Sequence, residues 1–410
     1  MAATVLGNIS LGYQLLWNRL RQPAAVRLFV DDAEVTVDAR HLLAALQELW
    51  PEQAPLLLSI QWHPLLLDML DLLDVSGAQY LWVEVPQDWL SDPALSQRVR
   101  QAHLRGLKLV WRGEPGQRPD AAMAPCFHKC MINLSAEEAL LGLRVALHKQ
   151  HDTSSTPSLL SPVEDGQIYE AVASRPLAEH CLDQQGAWAL AGWPTDDVLH
   201  SYRQQLCQPS HDTIVRLVAA IDADVSLDAI EHTLSEEPVL AYRFLRYVNS
   251  AGLGLRSEVD SIRRGLMVLG FSALKAWLLE QLPQASSDLN LQPVRTAVVT
   301  RAHLMERLLD AGEEDDLRRE VYLCGLLSQI DLLLGEPLTK ALHHLPLPER
   351  IHAALLQQTG PYRPYLNIAT ALESPRTRAT HALCKAHQIS LEEVNRALLR
   401  TLAALPIRSP

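Results

Sequence analysis

Two neighbouring stretches decide how the second half of the chain folds: Ile230–Leu255, IEHTLSEEPVLAYRFLRYVNSAGLGL, and Ser261–Trp277, SIRRGLMVLGFSALKAW. Ser226, just upstream, can cap a helix by accepting from its open N–H groups, and that helix turns Leu227, Ile230 and Leu234 to one side. Pro238 suits the first position of the next helix, where its missing N–H is not needed; Val239, Leu240, Phe244, Leu245 and Val248 share its apolar face. Asn249 and Ser250 can bond free carbonyls or the following loop, and Gly252 permits a left-handed turn there. Ser261 opens another helix that closes at Gly270, and Ser272 is expected to cap the one after, with Leu274, Trp277 and Leu278 inward. Outward from this core, helical periodicity continues to the end of the chain, so residues 195–405 predict an all-α bundle.

Upstream the pattern changes. Short apolar runs at Val26–Val30, Leu56–Ile60, Tyr80–Val85, Leu107–Trp111 and Lys129–Leu134 alternate with helix-like segments at Asp38–Leu49, Pro64–Leu73, Pro93–Arg105 and Ser135–Lys149. Strands that are apolar on both faces, each followed by a helix, imply a parallel sheet with helical cover, either open or closed into a barrel. A Ser/Thr/Pro-rich stretch, His151–Gln167, reads as a linker, and GWPTDD (Gly192–Asp197) as the break between a domain over 1–194 and one over 195–405.

The chain has 410 residues, 48% of them apolar, and a formal net charge of -12. The acidic excess falls on both sides of Thr195, -8 before and -4 after, so neither half carries the positive field that draws a protein to nucleic acid or an anionic membrane. No apolar run reaches the ~18–20 residues of a membrane span. The amino terminus lacks the pattern of a secretory signal. Six scattered cysteines make no disulfide framework, and Cys126-x-His128-x-Cys130 has no second cluster to complete a metal site. A cytoplasmic protein without cofactor is expected. The sixteen histidines, including His343–His344 and His381 with His387, are not spaced as a ligand set. The acidic GEEDD, Gly312–Asp316, suits a helix amino terminus.

The quoted helices resemble the HDOD domain, a relative of the HD metal-dependent phosphohydrolases. The resemblance rests on Glu237-Pro238, on RYVNSAG with Arg246, Asn249, Ser250 and Gly252, and on Leu269-Gly270, and it extends over about 198–404. It implies that CGLLSQIDLLLG, Cys324–Gly335, matches the helix on which the HD enzymes carry a His-Asp pair. Ser328 and Gln329 stand there instead, and neither replaces a metal ligand. The first half more distantly resembles the EAL domain, a (β/α)8-barrel phosphodiesterase of cyclic di-GMP that uses two metal ions held by carboxylates. GYQLLW puts Gln14 at the signature glutamate, and Leu57–Ile60 puts Ser59 at an asparagine ligand. WVEVPQ keeps Glu84 but gives Gln87 for a second acid. GLKLVWRG gives Arg112 and Gly113 for consecutive aspartates. FHKCM keeps Lys129 but gives Met131 for the acid after it.

Together these imply a degenerate, abridged (β/α) barrel of EAL type followed by an all-helical HDOD bundle. The barrel is abridged because too few strand candidates lie between Leu134 and the closing strand at Ala187–Gly192. A single carboxylate cannot hold two divalent ions, so the expected function is non-catalytic: a bacterial regulatory protein of stress, motility or cyclic di-GMP signalling that docks protein partners through its bundle. Two rivals are a nucleotide sensor holding cyclic di-GMP with Arg112, Lys129 and Trp111, and a hydrolase with rearranged ligands anchored on Glu84.

Overall fold

The computed structural model describes residues 5–32, 37–51, 54–73, 79–151, 160–203, 207–253, 258–309 and 314–407. Part of the linker (152–159), part of the acidic loop (312 and 313) and residues 254 and 255 of the quoted stretch lie outside them. The chain forms two units, one of Met1–Asp197 with Thr370–Pro410, the other of Val198–Ala369.

In the first unit eight strands close into a barrel in chain order: β1 Ile9–Trp17, β2 Pro23–Asp32, β3 Leu56–Ile60, β4 Leu81–Pro86, β5 Lys108–Arg112, β6 Lys129–Asn133, β7 Ile168–Glu170 and β8 Ala189–Ala191. β1 runs antiparallel to both neighbours, because a tight turn at Asn18–Gln22 joins it directly to β2. β2 to β8 are parallel. The five strands read from apolar runs are β2 to β6, and Ala187–Gly192 contains β8. The abridgement falls on the lengths and not on the strand number: β7 and β8 have 3 residues each. Between β5 and β6 only a 3-10 turn, Ala124–Cys126, replaces a helix. β7 escapes a sequence reading because three residues give no periodicity.

Alternate residues of a strand face one side, so each strand sends every second side chain inward. Leu16, Ala25, Leu57, Trp82, Val110, Met131, Ile168 and Ala189 pack into one dry cluster. The next inward positions toward the carboxy-terminal ends of the parallel strands are Gln14, Arg27, Ser59, Glu84, Arg112 and Glu170.

The second unit is helical. Ser226 accepts from the Ala229 N–H and Ser261 from the Arg264 N–H, as expected of caps. The Pro238–Val248 helix buries Val239, Leu240, Phe244, Leu245 and Val248. Two local expectations are corrected. Gly270, at φ 74°, both ends the helix Ile262–Leu269 and precedes Phe271–Gln281, so Ser272 lies inside that helix and does not cap it. Gly252 is not among the residues at positive φ; it sits in the 3-10 turn Ala251–Leu253.

The predicted second domain, 195–405, also differs from the observed unit. Helices Thr377–His387 and Leu391–Ala403 belong to the barrel unit. Val394, Leu398, Leu399 and Leu402 are buried, and the Asn395 side-chain amide donates to the Leu6 and Ile9 carbonyls at 2.7 and 2.8 Å. Amphipathic periodicity tells which face of a helix is apolar, not which core receives it. The helical unit is therefore an insertion: the chain leaves the barrel at Asp197 and returns at Thr370.

Candidate functional site

Catalytic and binding groups of (β/α)8 barrels sit at the carboxy-terminal ends of the parallel strands. Here that end carries a charged layer. Arg27, its side chain 4% exposed, donates through Nε and Nη2 to the two Glu84 carboxylate oxygens at 2.8 and 2.7 Å. Its Nη1 reaches Glu170 Oε2 and Gln14 Oε1, each at 3.2 Å. Arg112 Nε donates to the other Glu170 oxygen at 2.9 Å and stands 3.7 Å from Glu84. Burial alone would lower the Arg27 pKa, but the charges and hydrogen bonds of Glu84 and Glu170 outweigh it and hold it above its ordinary value. Two guanidinium groups and two carboxylates leave the layer with no net charge.

Divalent ions do not fit these residues. A guanidinium occupies the space between the two acids, and a second one stands beside them, so an added cation would meet two positive charges. Among the described residues no group of three or more His, Cys, Asp and Glu is placed to hold a metal ion. Ser59 faces the layer and is buried. Met131 belongs to the dry cluster below it. A Cβ on Gly113 would collide with the Trp111 indole, so a side chain at this position would require the ring to move. Gln87 accepts from that indole N–H at 2.6 Å.

The nucleotide-sensor residues are not brought together. Arg112 lies in the layer, but Trp111, its strand neighbour, has the opposite orientation and is fully buried. Lys129 turns to the other end of the barrel, where its Nζ donates to the Gly166 carbonyl at 2.7 Å and lies 5.1 Å from the Trp188 ring. There Trp82, Trp188 and His128 pack edge to face and tilted, with Lys108 over Trp82. Burial first, then Lys129 and Lys108, lower the His128 pKa. The unfolded chain therefore takes up the proton more readily, and this contribution to stability is full above pH ~6.5 and declines as pH falls. The stability lost between pH 7.5 and 5.5, read from denaturant midpoints, should be smaller in His128→Gln than in the wild type. An unchanged loss counts against this assignment.

The sequence reading missed Arg27 and Glu170. A lone arginine within PAAVRLFV, a strand otherwise buried on both faces, was a usable signal, because such a charge needs buried partners. It also missed the chain's own occupant of this end. A Cβ on Gly12, on the inward side of β1, would collide with the Ser374 carbonyl oxygen. Gln61 donates to the Pro375 carbonyl at 2.9 Å. Asp31 lies 3.5 Å from the Thr377 hydroxyl and 3.3 Å from Arg378 Nε. The segment Leu372–Arg378 thus occupies the β1–β2–β3 side of the barrel mouth.

In the helical unit, Ser328 ends helix Asp315–Leu327; its hydroxyl donates to the Gly325 carbonyl at 2.7 Å and faces Arg301 Nη1 at 3.4 Å. Gln329 starts the turn into Ile330–Leu334, and Leu326, Leu327, Ile330, Leu333 and Leu334 are buried. The Arg301 guanidinium thus stands beside the position that the resemblance matched to a metal ligand. Glu237 caps the Pro238 helix through the Leu240 N–H and pairs with buried Arg295 at 2.9 Å. Asn249 binds the loop as its side chain predicts: it donates to the Leu245 and Val259 carbonyls and accepts from the Val259 N–H, all at 2.8 Å. Arg246 lies over the Tyr242 ring, Leu269 ends its helix and Ser250 is exposed. The cysteines are free; burial raises Cys130 to about 11 and Cys181 to about 12, which makes them poor nucleophiles. Ser161 and His180 stand 2.9 Å apart, but the second ring nitrogen faces Gln184 and not a carboxylate, and His180 is wholly buried. No single helix among the described residues is long and apolar enough to cross a membrane.

The chain is similar to the cyclic di-GMP phosphodiesterase CdgJ of Vibrio cholerae, with 21% identity over 48% of this chain and 46% of that protein. It is similar to the uncharacterized protein YuxH of Bacillus subtilis, with 25% identity over 52% and 49% respectively. It thus spans about half the length of these relatives. Among solved structures it is similar to the MmoQ response regulator of Methylococcus capsulatus, at 18% identity and a TM-score of 0.36, covering 44% of this chain and 94% of that one. Residues 208–343 match the family model of the HDOD domain, and the helical unit of this chain accordingly carries an HDOD domain.

Proposed function

We propose that the chain is a non-catalytic signalling protein of cyclic di-GMP-linked regulation, in the cytoplasm, whose barrel is a degenerate EAL domain and whose HDOD bundle docks protein partners. One observation carries the non-catalytic part: the charged layer at the barrel mouth already holds its counter-ions, and the chain's own segment Leu372–Arg378 occupies the β1–β2–β3 side of that mouth. The similarity to CdgJ supports the pathway. The barrel serves as a rigid body to which the inserted bundle is tied at both ends, and the bundle supplies the docking surface. Met267 and Val268, 61% and 49% exposed at the end of one bundle helix, are apolar side chains left to solvent there.

The test has two arms. Purified full-length chain is expected to give no turnover of cyclic di-GMP with magnesium or manganese, and no heat on titration with micromolar nucleotide. Affinity capture from the native cytoplasm should recover a specific partner that Met267→Asp/Val268→Asp loses. Turnover, or capture of nothing above background, overturns the proposal.

A further inference from the structure

We propose that Arg27 is the resident cation of the barrel, standing where a divalent ion would otherwise bind and making the charged layer independent of metal. The layer sets a problem with few solutions. Glu84 and Glu170, 2% and 8% exposed, are two carboxylates inside one barrel, and they must be neutralised by bound cations, by protonation or by cationic side chains. Arg27 touches both. It grips Glu84 with two parallel hydrogen bonds, the geometry a guanidinium makes and a metal ion cannot, and extends a third nitrogen to Glu170 and Gln14. Arg112 closes the set from the mouth side through the remaining Glu170 oxygen.

Arg27 and not Arg112 is the central group, because Arg112 is 41% exposed and touches the acids through one nitrogen. Without the Arg27 guanidinium, three oxygen-bearing side chains, Glu84, Glu170 and Gln14, would face one gap. Two acids and a carbonyl oxygen are the donor set that hard cations such as calcium, magnesium and manganese take. Arg112 could balance one of the acids, leaving the gap with an uncompensated negative charge. The inference is independent of the docking role, since partner capture can succeed or fail whatever the layer's response to cations.

The experiment measures melting of the full-length chain with chelator, calcium, magnesium or manganese. The wild type and Arg27→Lys, which keeps the charge, should melt at the same temperature in all four. Arg27→Met, of similar bulk but without charge or donors, should melt lower in chelator and gain about 5 °C with one of the cations well above its dissociation constant. Arg27→Met/Glu84→Gln should lose that gain. If Arg27→Met folds only when refolded with a divalent cation and unfolds on chelation, the proposal also stands. A wild type that itself melts higher with a cation, the rise being lost in Glu84→Gln, overturns it. So does an Arg27→Met that no cation stabilises or rescues.

Discussion

A fragment ending at Asp197 is expected not to fold cooperatively, although it contains all eight barrel strands. Helix Leu391–Ala403 buries Val394, Leu398, Leu399 and Leu402 in the barrel unit, and Asn395 satisfies two carbonyls at the amino-terminal end of the barrel chain. Each fully buried aliphatic side chain contributes about 1.5–3 kcal/mol, so four supply roughly 6–12 kcal/mol. That is comparable to the whole stability of an ordinary domain, about 5–15 kcal/mol. The fragment would also expose the apolar side chains of the barrel that this helix covers. Joining residues 1–197 to 370–410 by a Gly/Ser linker should restore a single sharp transition in circular dichroism during urea unfolding. If the short fragment unfolds as sharply as the joined one, the carboxy-terminal helices are not part of the barrel's core.

Replacing Glu237 by Ala should destabilise the helical unit by about 3–5 kcal/mol, the usual effect of leaving a buried charge without its partner. Arg295 is itself 4% exposed, so it would have no water to turn to. A further ~1 kcal/mol comes from the lost helix cap at the Leu240 N–H. Glu237→Gln keeps an oxygen near that N–H and should fall between. Adding Arg295→Met to Glu237→Gln should recover part of the loss, because the stranded charge is then gone. Urea midpoints of the wild type, Glu237→Gln, Arg295→Met and the double variant give the coupling directly. Independent, additive losses would mean that the pair does not act as a unit.

Much of the fold was legible because it rests on local rules. Ser226 and Ser261 cap helices for reasons contained within four residues, and the strands β2 to β6 are apolar runs between turn residues. Glu84 was singled out as an acid within an apolar strand, and it is buried in the charged layer. Asn249 was read as a side chain with carbonyls to bond. What failed was less local. Ser272 looked like a cap, but Gly270, already turned to positive φ, ends one helix and opens the next. Gly252 was assigned a left-handed turn that the 3-10 turn there does not use. Lys129, Arg112 and Trp111 were grouped because two cations could contact phosphates and an indole could stack on a base, whereas strand alternation and the barrel's two ends separate them.

Sequence alone determined the class of each half and the segment that is an HDOD domain. Those are properties of side-chain type and short-range period. Only the tertiary structure decided that Arg27 closes an ionic layer with Glu84, Glu170 and Arg112, that the last helices return to the barrel, and that Leu372–Arg378 fills part of its mouth. Each of these pairs residues far apart in the chain, Gly12 with Ser374 or Arg27 with Glu170. An apolar stripe or a lone buried charge states that a partner is needed. Which partner meets it is fixed only when the strands close and set the distances.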